Sequence, residues 1–284
     1  MKKTCIGLLT TFSLILLTIH SLQAQIQTPQ ASPTASISQA IGLGTATINY
    51  SRPSLKGRQM FGKQLPFGDV WRTGANAVTT IEISEEMSFM GTSVPAGIYG
   101  LLSIPGEEEW TIILNQDSKQ WGAYTYQKEK DVLRFKVKPV KTKEKTEHLT
   151  IGFTTFTPTS ATLTIAWENF KTSFEISQNP EKQIMTQIDA TLAKSEVSAN
   201  DYLSIANYYY ETGKSKDKTY EYSKKAAEMN PKYWSYFVFA RAAATVGKCD
   251  EAVKAAEKGL TLAKESGDMA YVINNQSVID SCKK

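Results

Sequence analysis

The sequence predicts a two-domain protein, an antiparallel β-sandwich or roll followed by an α-helical repeat domain. Three observations lead to this prediction: apolar residues alternate with polar ones up to residue 176, the apolar spacing becomes helical after Pro180, and similar stretches of the second half lie 34 residues apart. The predicted ranges are a signal peptide at 1–24, a flexible linker at 25–36, a β-sandwich at 37–177 and a helical-repeat domain at 181–284.

The N-terminus has the layout of a secretory signal peptide. Lys2 and Lys3 precede an apolar stretch from Ile6 to Ile19, and Leu22-Gln23-Ala24 resembles a cleavage site. The apolar stretch is too short for a retained membrane span. We therefore expect an exported protein, cleaved near Ala24, periplasmic or secreted, with no transmembrane span in its mature form.

The charge distribution does not favour a nucleic-acid partner. The chain has 32 Lys and Arg against 28 Asp and Glu, and removal of Lys2 and Lys3 lowers the basic count to 30. These charges divide equally, because residues 25–180 and residues 181–284 each contain 15 basic and 14 acidic residues. Proteins that bind nucleic acids concentrate basic residues on one face. We expect no such partner here.

Histidine is scarce in the expected mature chain, where only His148 remains. A multi-histidine metal site within one chain is therefore excluded, and a Ser-His-Asp triad would have to use His148. In the stretch EHLTIGF, Leu149, Ile151 and Phe153 form the inward set, so that His148 faces solvent. A P-loop, a GxGxxG motif and a calcium-loop pattern are absent. We predict no metal and no cofactor.

The pattern of the first half predicts strands that are apolar on one face and are joined by short polar turns. Because these turns leave no room for crossover helices, the strands are expected to pair antiparallel. The turn signals are Pro95-Ala96-Gly97, Pro105-Gly106 with the acidic run that follows it, and the charged segment 141–145. The predicted strands include 45–50, 79–84, 110–114, 133–137 and 163–167, with Phe174 and Ile176 in a last hairpin.

The second half predicts six helices, at about 181–194, 199–212, 216–229, 233–246, 250–264 and 268–282. Ala206 and Gly213 recur as Ala240 and Gly247, at an offset of 34 residues. This spacing resembles the tetratricopeptide repeat, in which small residues let paired helices pack closely. Such repeats commonly offer docking surfaces, so that we expect a protein partner for this domain.

Two cysteines bracket the last predicted helix pair. Cys249 precedes one helix and Cys282 ends the next, and the midpoint between them falls inside the predicted turn. An antiparallel pair folded about that turn brings its two ends together. In an oxidising compartment we therefore predict a Cys249–Cys282 disulfide.

The stretches SRPSLKGR, VWRTGAN and PAGIY together resemble an exported bacterial family known as domain of unknown function 2911. The resemblance covers residues from about 35 to 176, which is more than half of the expected mature chain. It implies an exported β-rich domain. It implies no established activity, so that no catalytic residue can be inferred from it.

Two irregular stretches, GDVWRTGAN and NQDSKQWGAYTYQ, hold polar and aromatic side chains that a simple strand does not need. In one interpretation these residues form a structural corner, in which guanidinium groups donate to loop carbonyls and Gly74 and Asn76 take turn conformations. In the other they form a cleft for a carboxylate, a phosphate or a sugar. The candidate ligand-binding residues are Arg52, Arg58, Asp69, Trp71, Arg72, Asn76, Trp121 and Tyr124.

Three functions remain open at the level of sequence. The first is a non-catalytic exported module, whose β domain binds a small ligand, a glycan or a protein and whose repeats dock a protein. The second is an envelope or secreted hydrolase of glycans or esters that uses Asp69, Glu82 or His148. The third is an assembly protein of the envelope that needs no pocket.

Overall fold

The computed structural model of the protein describes residues 28–283, and the predicted signal peptide with its cleavage site lies outside them. The chain divides into two compact units between Gln178 and Asn179. The first unit contains antiparallel sheets and the second contains helices, which confirms the predicted order of a β domain and an α domain.

The strands of the first unit form two sheets. The described strands are β1 (Thr34–Ile41), β2 (Gly44–Ser51), β3 (Thr80–Ile83), β4 (Met87–Phe89), β5 (Thr92–Val94), β6 (Gly97–Ile104), β7 (Trp110–Asn115), β8 (Asp131–Val137), β9 (Val140–Thr157) and β10 (Ser160–Ser177). One sheet has the order β1-β2-β3-β6-β7-β8 and the other β5-β4-β10-β9. A short 3-10 helix at Lys128–Lys130 precedes β8.

One apolar core lies between the two sheets. Ile48, Ile81 and Ile112 of the first sheet and Leu163 and Ile165 of the second belong to the same buried cluster. Their spacing of two residues along each strand sends alternate side chains inward, as the sequence pattern requires. The first unit is therefore a sandwich of two antiparallel sheets.

Three predicted boundaries of the β domain differ from the structure. β1 begins at Thr34, so that the end of the predicted linker is strand. The segment 141–145 is not a turn, because it lies in β9, and Phe174 and Ile176 continue β10 instead of forming a separate hairpin. β9 is an edge strand, and charged side chains are common on exposed sheet edges.

The second unit has six helices within the described residues. They are α1 (Glu181–Leu192), α2 (Ala199–Thr212), α3 (Lys216–Met229), α4 (Tyr233–Thr245), α5 (Cys249–Ser266) and α6 (Met269–Cys282). Local signals set several ends: the Ser198 hydroxyl accepts from the Asp201 N–H in a capping box, and α2 and α5 end at left-handed Gly213 and Gly267.

The positions that repeat in sequence have matching environments. Ala206 in α2 and Ala240 in α4 are both fully buried. Gly213 and Gly247, which follow those helices, have positive φ angles of 64° and 76°. The structure thus shows two similar helical stretches, and the tetratricopeptide likeness itself stays a prediction.

Within residues 28–283, no helix is both long enough and apolar enough to span a membrane.

Candidate functional site

Trp71 fixes the first irregular stretch to the sandwich. Its backbone exchanges two hydrogen bonds with Ser103 of β6, at 2.7 and 2.9 Å, and its indole N–H donates to the Gly74 carbonyl at 3.0 Å. The ring stacks on Trp167 with centroids 5.7 Å apart, and only 5% of the residue is exposed. Trp71 is therefore part of the core of the sandwich.

The turn after Trp71 contains two left-handed residues that are not glycine. Thr73 has a φ of 52° and Asn76 a φ of 61°. A β-branched residue in this region is strained by about 1–3 kcal/mol. The Thr73 hydroxyl is hydrogen-bonded to that of Ser103 at 2.9 Å, and the Thr73 carbonyl accepts from the Thr79 hydroxyl at 2.9 Å. These bonds hold the turn in a defined shape.

The two irregular stretches meet, which the sequence left open. The Gly122 N–H donates to the Asn76 carbonyl at 3.1 Å, and Ala77 forms an isolated bridge with Trp121. A Cβ at Gly122 would lie 2.6 Å from the Tyr124 ring and 3.0 Å from Arg72 Nη1. Arg72 and Tyr124 therefore both approach Gly122 closely, and the missing side chain of this glycine leaves room for them.

A polar network supports the second stretch. The Tyr126 hydroxyl donates to Asp131 Oδ2 at 2.7 Å, and Arg134 Nη1 donates to the same oxygen at 3.0 Å. Partial burial and the Asp131 carboxylate raise the pKa of Tyr126 to about 12. Asn115 Nδ2 donates to the other carboxylate oxygen, Oδ1, at 2.8 Å. The network ties the stretch to β7 and β8.

The two irregular stretches, together with the loop that precedes them, line a cavity of about 570 Å³, which we call the arginine cavity. Its lining includes two arginines and no acidic residue. Five of the predicted ligand-binding residues line it, and Gln64 adds a further polar side chain. The five are Arg58, Trp71, Arg72, Asn76 and Tyr124.

The three candidate arginines differ in their hydrogen bonds. Arg52 donates to the Leu149 carbonyl and the Thr150 hydroxyl, both at 3.0 Å, and does not line the cavity. Arg58 lines the cavity but donates to two loop carbonyls, at 3.0 and 2.8 Å. Arg72 Nε is buried and has no hydrogen-bond partner among the described residues. Arg52 and Arg58 hold the loop, whereas Arg72 has donor capacity left for a ligand.

Two predicted residues lie away from the cavity. Asp69 is exposed and does not line it. Trp121 is 65% exposed and also lies outside its lining, whereas Tyr124, 83% exposed, lies at its rim. The combined site is therefore smaller than the set predicted from the sequence.

The hydrolase candidates are not assembled into a catalytic group. Glu82 is exposed on β3, and neither it nor Asp69 lines the arginine cavity. His148 is exposed, as predicted, and its Nδ1 lies 2.8 Å from the Ser54 hydroxyl. No described residue hydrogen-bonds the other ring nitrogen of His148, and a triad needs a third group that orients the imidazole.

A buried carboxylate was missed at the level of sequence. Glu168 lies in β10, next to Trp167, with 8% exposure and a φ of 56°, where the pairing of β10 with β9 shifts register. It lines a second cavity of about 410 Å³, which we call the glutamate cavity. The sequence does contain a signal for it: inward residues fall at odd positions up to Trp167 and at even positions from Phe170, as a β-bulge requires.

Two further findings concern metals and thiols. The part of the chain that the structure describes contains no group of three or more His, Cys, Asp or Glu residues arranged to hold a metal ion. Cys249 and Cys282 are both thiols in the structure, and burial together with the neighbouring Cys249 raises the pKa of the Cys282 thiol. The helix pair thus brings the two cysteines together, and the disulfide between them stays a prediction.

Comparison with known proteins identifies one family. The model of a protein family of unknown function, DUF2911, matches residues 32–176, a range that contains both cavities. No curated protein and no solved structure matches the chain significantly.

Proposed function

The chain belongs to the DUF2911 family, and we propose from its own residues that the β domain is an exported, non-catalytic module that binds a small anionic ligand in the arginine cavity. The ligand class is one with a carboxylate or a chemically similar oxyanion. The proposal rests above all on the unpartnered guanidinium nitrogen of Arg72.

Buried polar atoms in folded proteins are almost always hydrogen-bonded. A buried N–H group of a charged side chain that has no acceptor therefore lowers the stability of the fold, unless a bound ligand accepts its hydrogen bond. A carboxylate can accept two parallel hydrogen bonds from a guanidinium, which fixes both its position and its orientation. Arg72 lines the cavity and its Nε has no acceptor among the described residues, so that we expect this guanidinium to make such a contact.

The rest of the lining agrees with an anionic ligand that has a flat or apolar body. The lining residues Arg58 and Arg72 are both positive, and no carboxylate opposes them. Tyr124 offers aromatic surface at the rim, and the volume of about 570 Å³ lies in the usual range for small-molecule sites. A sugar acid combines these properties in one molecule.

Isothermal titration calorimetry with the mature chain tests the proposal. Glucuronate is expected to bind, and glucose to bind more weakly, because glucose lacks the carboxylate. Arg72→Met should weaken glucuronate binding by about tenfold or more, the usual effect of losing a charged hydrogen bond. Glucose 6-phosphate tests whether a phosphate can replace the carboxylate.

Lys63→Met is the matched control, because it removes the same charge from an exposed position of the same loop that does not line the cavity. Its affinity should equal that of the unmodified protein. Equal affinity in the Arg72→Met protein, or no binding of any acidic probe, would contradict the proposal.

For the helical unit we propose docking of a protein partner. Met269 and Ile273 of α6 are exposed apolar side chains, and Ile273 lines a groove between α5 and α6 together with Leu260 and Val272. A photo-crosslinking residue at position 273 should capture a defined partner from envelope extract, with position 245, exposed at the end of α4, as control. Identical products at both positions would refute the proposal.

The hydrolase alternative has less support, because Asp69, Glu82 and His148 line neither cavity. Turnover of a glycan or ester that disappears in the Asp69→Ala or His148→Ala protein would favour it over binding alone.

A further inference from the structure

Glu168 is a buried carboxylate whose charge is only partly compensated. Its Oε2 accepts the backbone N–H groups of Met60 and Phe61, both at 3.1 Å. Within residues 28–283, Oε1 has no hydrogen-bond partner, and no Lys or Arg nitrogen lies within 4.0 Å of the carboxylate. Buried charges are normally paired, because removing them from water is costly. The free oxygen therefore offers a place for a positive group.

Aromatic rings surround this part of the glutamate cavity. Phe61, Phe67 and Phe170 line it, with ring centroids 5.2 Å apart for Phe61 and Phe170 and 6.3 Å for Phe67 and Phe170. Phe67 is 39% exposed, so that its ring is accessible from solvent. The faces of aromatic rings carry negative electrostatic potential and attract ammonium groups.

One ammonium group of the chain already uses this surface. Lys141, the neighbour of Phe170 across β9 and β10, has its Nζ 5.8 Å from the Phe170 ring centroid and 3.0 Å from Glu107 Oε1. Both partners line the cavity. The charged lining residues are then two carboxylates and one ammonium, so that one negative charge remains uncompensated.

We propose that the glutamate cavity binds a small ligand carrying an ammonium group, a primary or quaternary amine. The cation lies against the phenylalanine rings, and Glu168 neutralises its charge. Lys141 competes with the ligand for the same rings and for Glu107. This site is separate from the arginine cavity and does not depend on the function proposed for it.

Choline and its uncharged isostere 3,3-dimethylbutan-1-ol provide a direct test, because they differ in charge and hardly in shape. With the mature chain, titration followed by nuclear magnetic resonance should show saturable shifts for choline and much weaker ones for the alcohol. Butylamine extends the test to a primary amine. Equal affinity for choline and the alcohol, or no saturable binding of either amine, overturns the proposal.

Variants identify the groups responsible. Glu168→Gln keeps an oxygen that can accept from Met60 and Phe61 but removes the charge, and it should weaken choline binding by about tenfold. Glu175→Gln, exposed on the same strand, is its control and should have no effect. Unchanged affinity in the Glu168→Gln protein contradicts the proposal.

Two further variants test the proposed ammonium site even if the Glu168→Gln protein does not fold. Phe67→Leu should weaken choline binding by about threefold or more, since it removes an accessible ring. Lys141→Met should strengthen choline binding, whereas Lys143→Met, exposed on β9 outside the cavity lining, should not. Weaker choline binding in the Lys141→Met protein would show that the lysine supports the site and does not compete with the cation, which overturns the proposal.

Discussion

The two units of the protein bury different kinds of side chain. The β domain fills the space between its sheets with large residues, such as Phe61, Phe89, Trp71, Trp110 and Trp167. The helical unit buries small ones, including Ala206, Ala226, Ala240, Ala243, Ala252 and Ala256. Sheets in a sandwich stand about 10 Å apart and need bulky side chains to fill the gap, whereas alanines let helices approach closely.

This difference predicts that opposite kinds of substitution at buried positions destabilise the two units. Truncation should harm the β domain most, because it leaves cavities between the sheets. Enlargement should harm the helical unit most, because its helices have no space for added atoms. Both proposed cavities lie in the β domain and are lined in part by its irregular loops.

The largest expected effect is that of Trp110→Ala, which removes a fully buried indole. It should lower the free energy of unfolding of the β domain by about 3–5 kcal/mol, measured by chemical denaturation with hydrogen exchange to separate the two units. Trp121→Ala, at an exposed position, should change it by less than about 0.5 kcal/mol. Similar losses for both variants would contradict the distinction.

Next in size is the effect of the predicted Cys249–Cys282 disulfide on the helical unit. Under oxidising conditions Cys282→Ser should lower its free energy of unfolding by about 3–4 kcal/mol, according to the loop-entropy relation. With a reducing agent present, the two proteins should unfold alike. Reaction of both cysteines with an alkylating reagent in the native, oxidised protein would show that the bond does not form.

Ala240→Leu tests the other side of the comparison. Added methylenes in the closely packed contact of α4 should cost about 1–3 kcal/mol. Ala270→Leu introduces the same change at an exposed position of α6 and should have almost no effect. If denaturation shows that Ala240→Leu is tolerated as well as Ala270→Leu, the alanine core is looser than its burial indicates.

The smallest effect concerns the polar network of Tyr126, Asp131 and Arg134 that supports the second irregular stretch. Because the folded pKa of Tyr126, about 12, is above its ordinary value of 10.0, its contribution is complete below pH 10 and is lost as the pH rises towards 12. Tyr126→Phe should remove this part of the pH dependence and cost about 1 kcal/mol at neutral pH. The exposed Tyr124→Phe variant should retain the dependence, and a Tyr126→Phe protein that also retains it would contradict the assignment.

Much of the fold was predictable from the sequence, because local signals such as helix caps and alternating apolar residues agree with the packing of the folded chain. The helix bounds agree to within two residues, since Ser198, Gly213 and Gly267 terminate helices by their own chemistry. The assignment of 141–145 as a turn was wrong, because charged residues on an edge strand have the composition of a turn. Only pairing with β10 distinguishes the two.

The candidate site was predicted in part for a related reason. Five of its eight residues line one cavity, because GDVWRTGAN and NQDSKQWGAYTYQ were recognised as irregular and rich in polar and aromatic groups. Their mutual contact is made by backbone pairing, including the Asn76–Gly122 hydrogen bond and the Ala77–Trp121 bridge, which has no local signal in the sequence. Glu168 was missed, since a carboxylate within a strand reads as solvent-facing unless the shift in alternation after Trp167 is noticed.

One short segment of the β domain lines both cavities. Residues 59–67 contribute Met60, Gln64 and Leu65 to the arginine cavity, and Gln59, Phe61 and Phe67 to the glutamate cavity. If both proposed ligands bind, a ligand that displaces this segment in one cavity is expected to change the affinity of the other cavity for its own ligand. Linkage makes such an effect reciprocal, by the same factor in both directions. An acid and an amine bound to this domain would then be heterotropic effectors of one another.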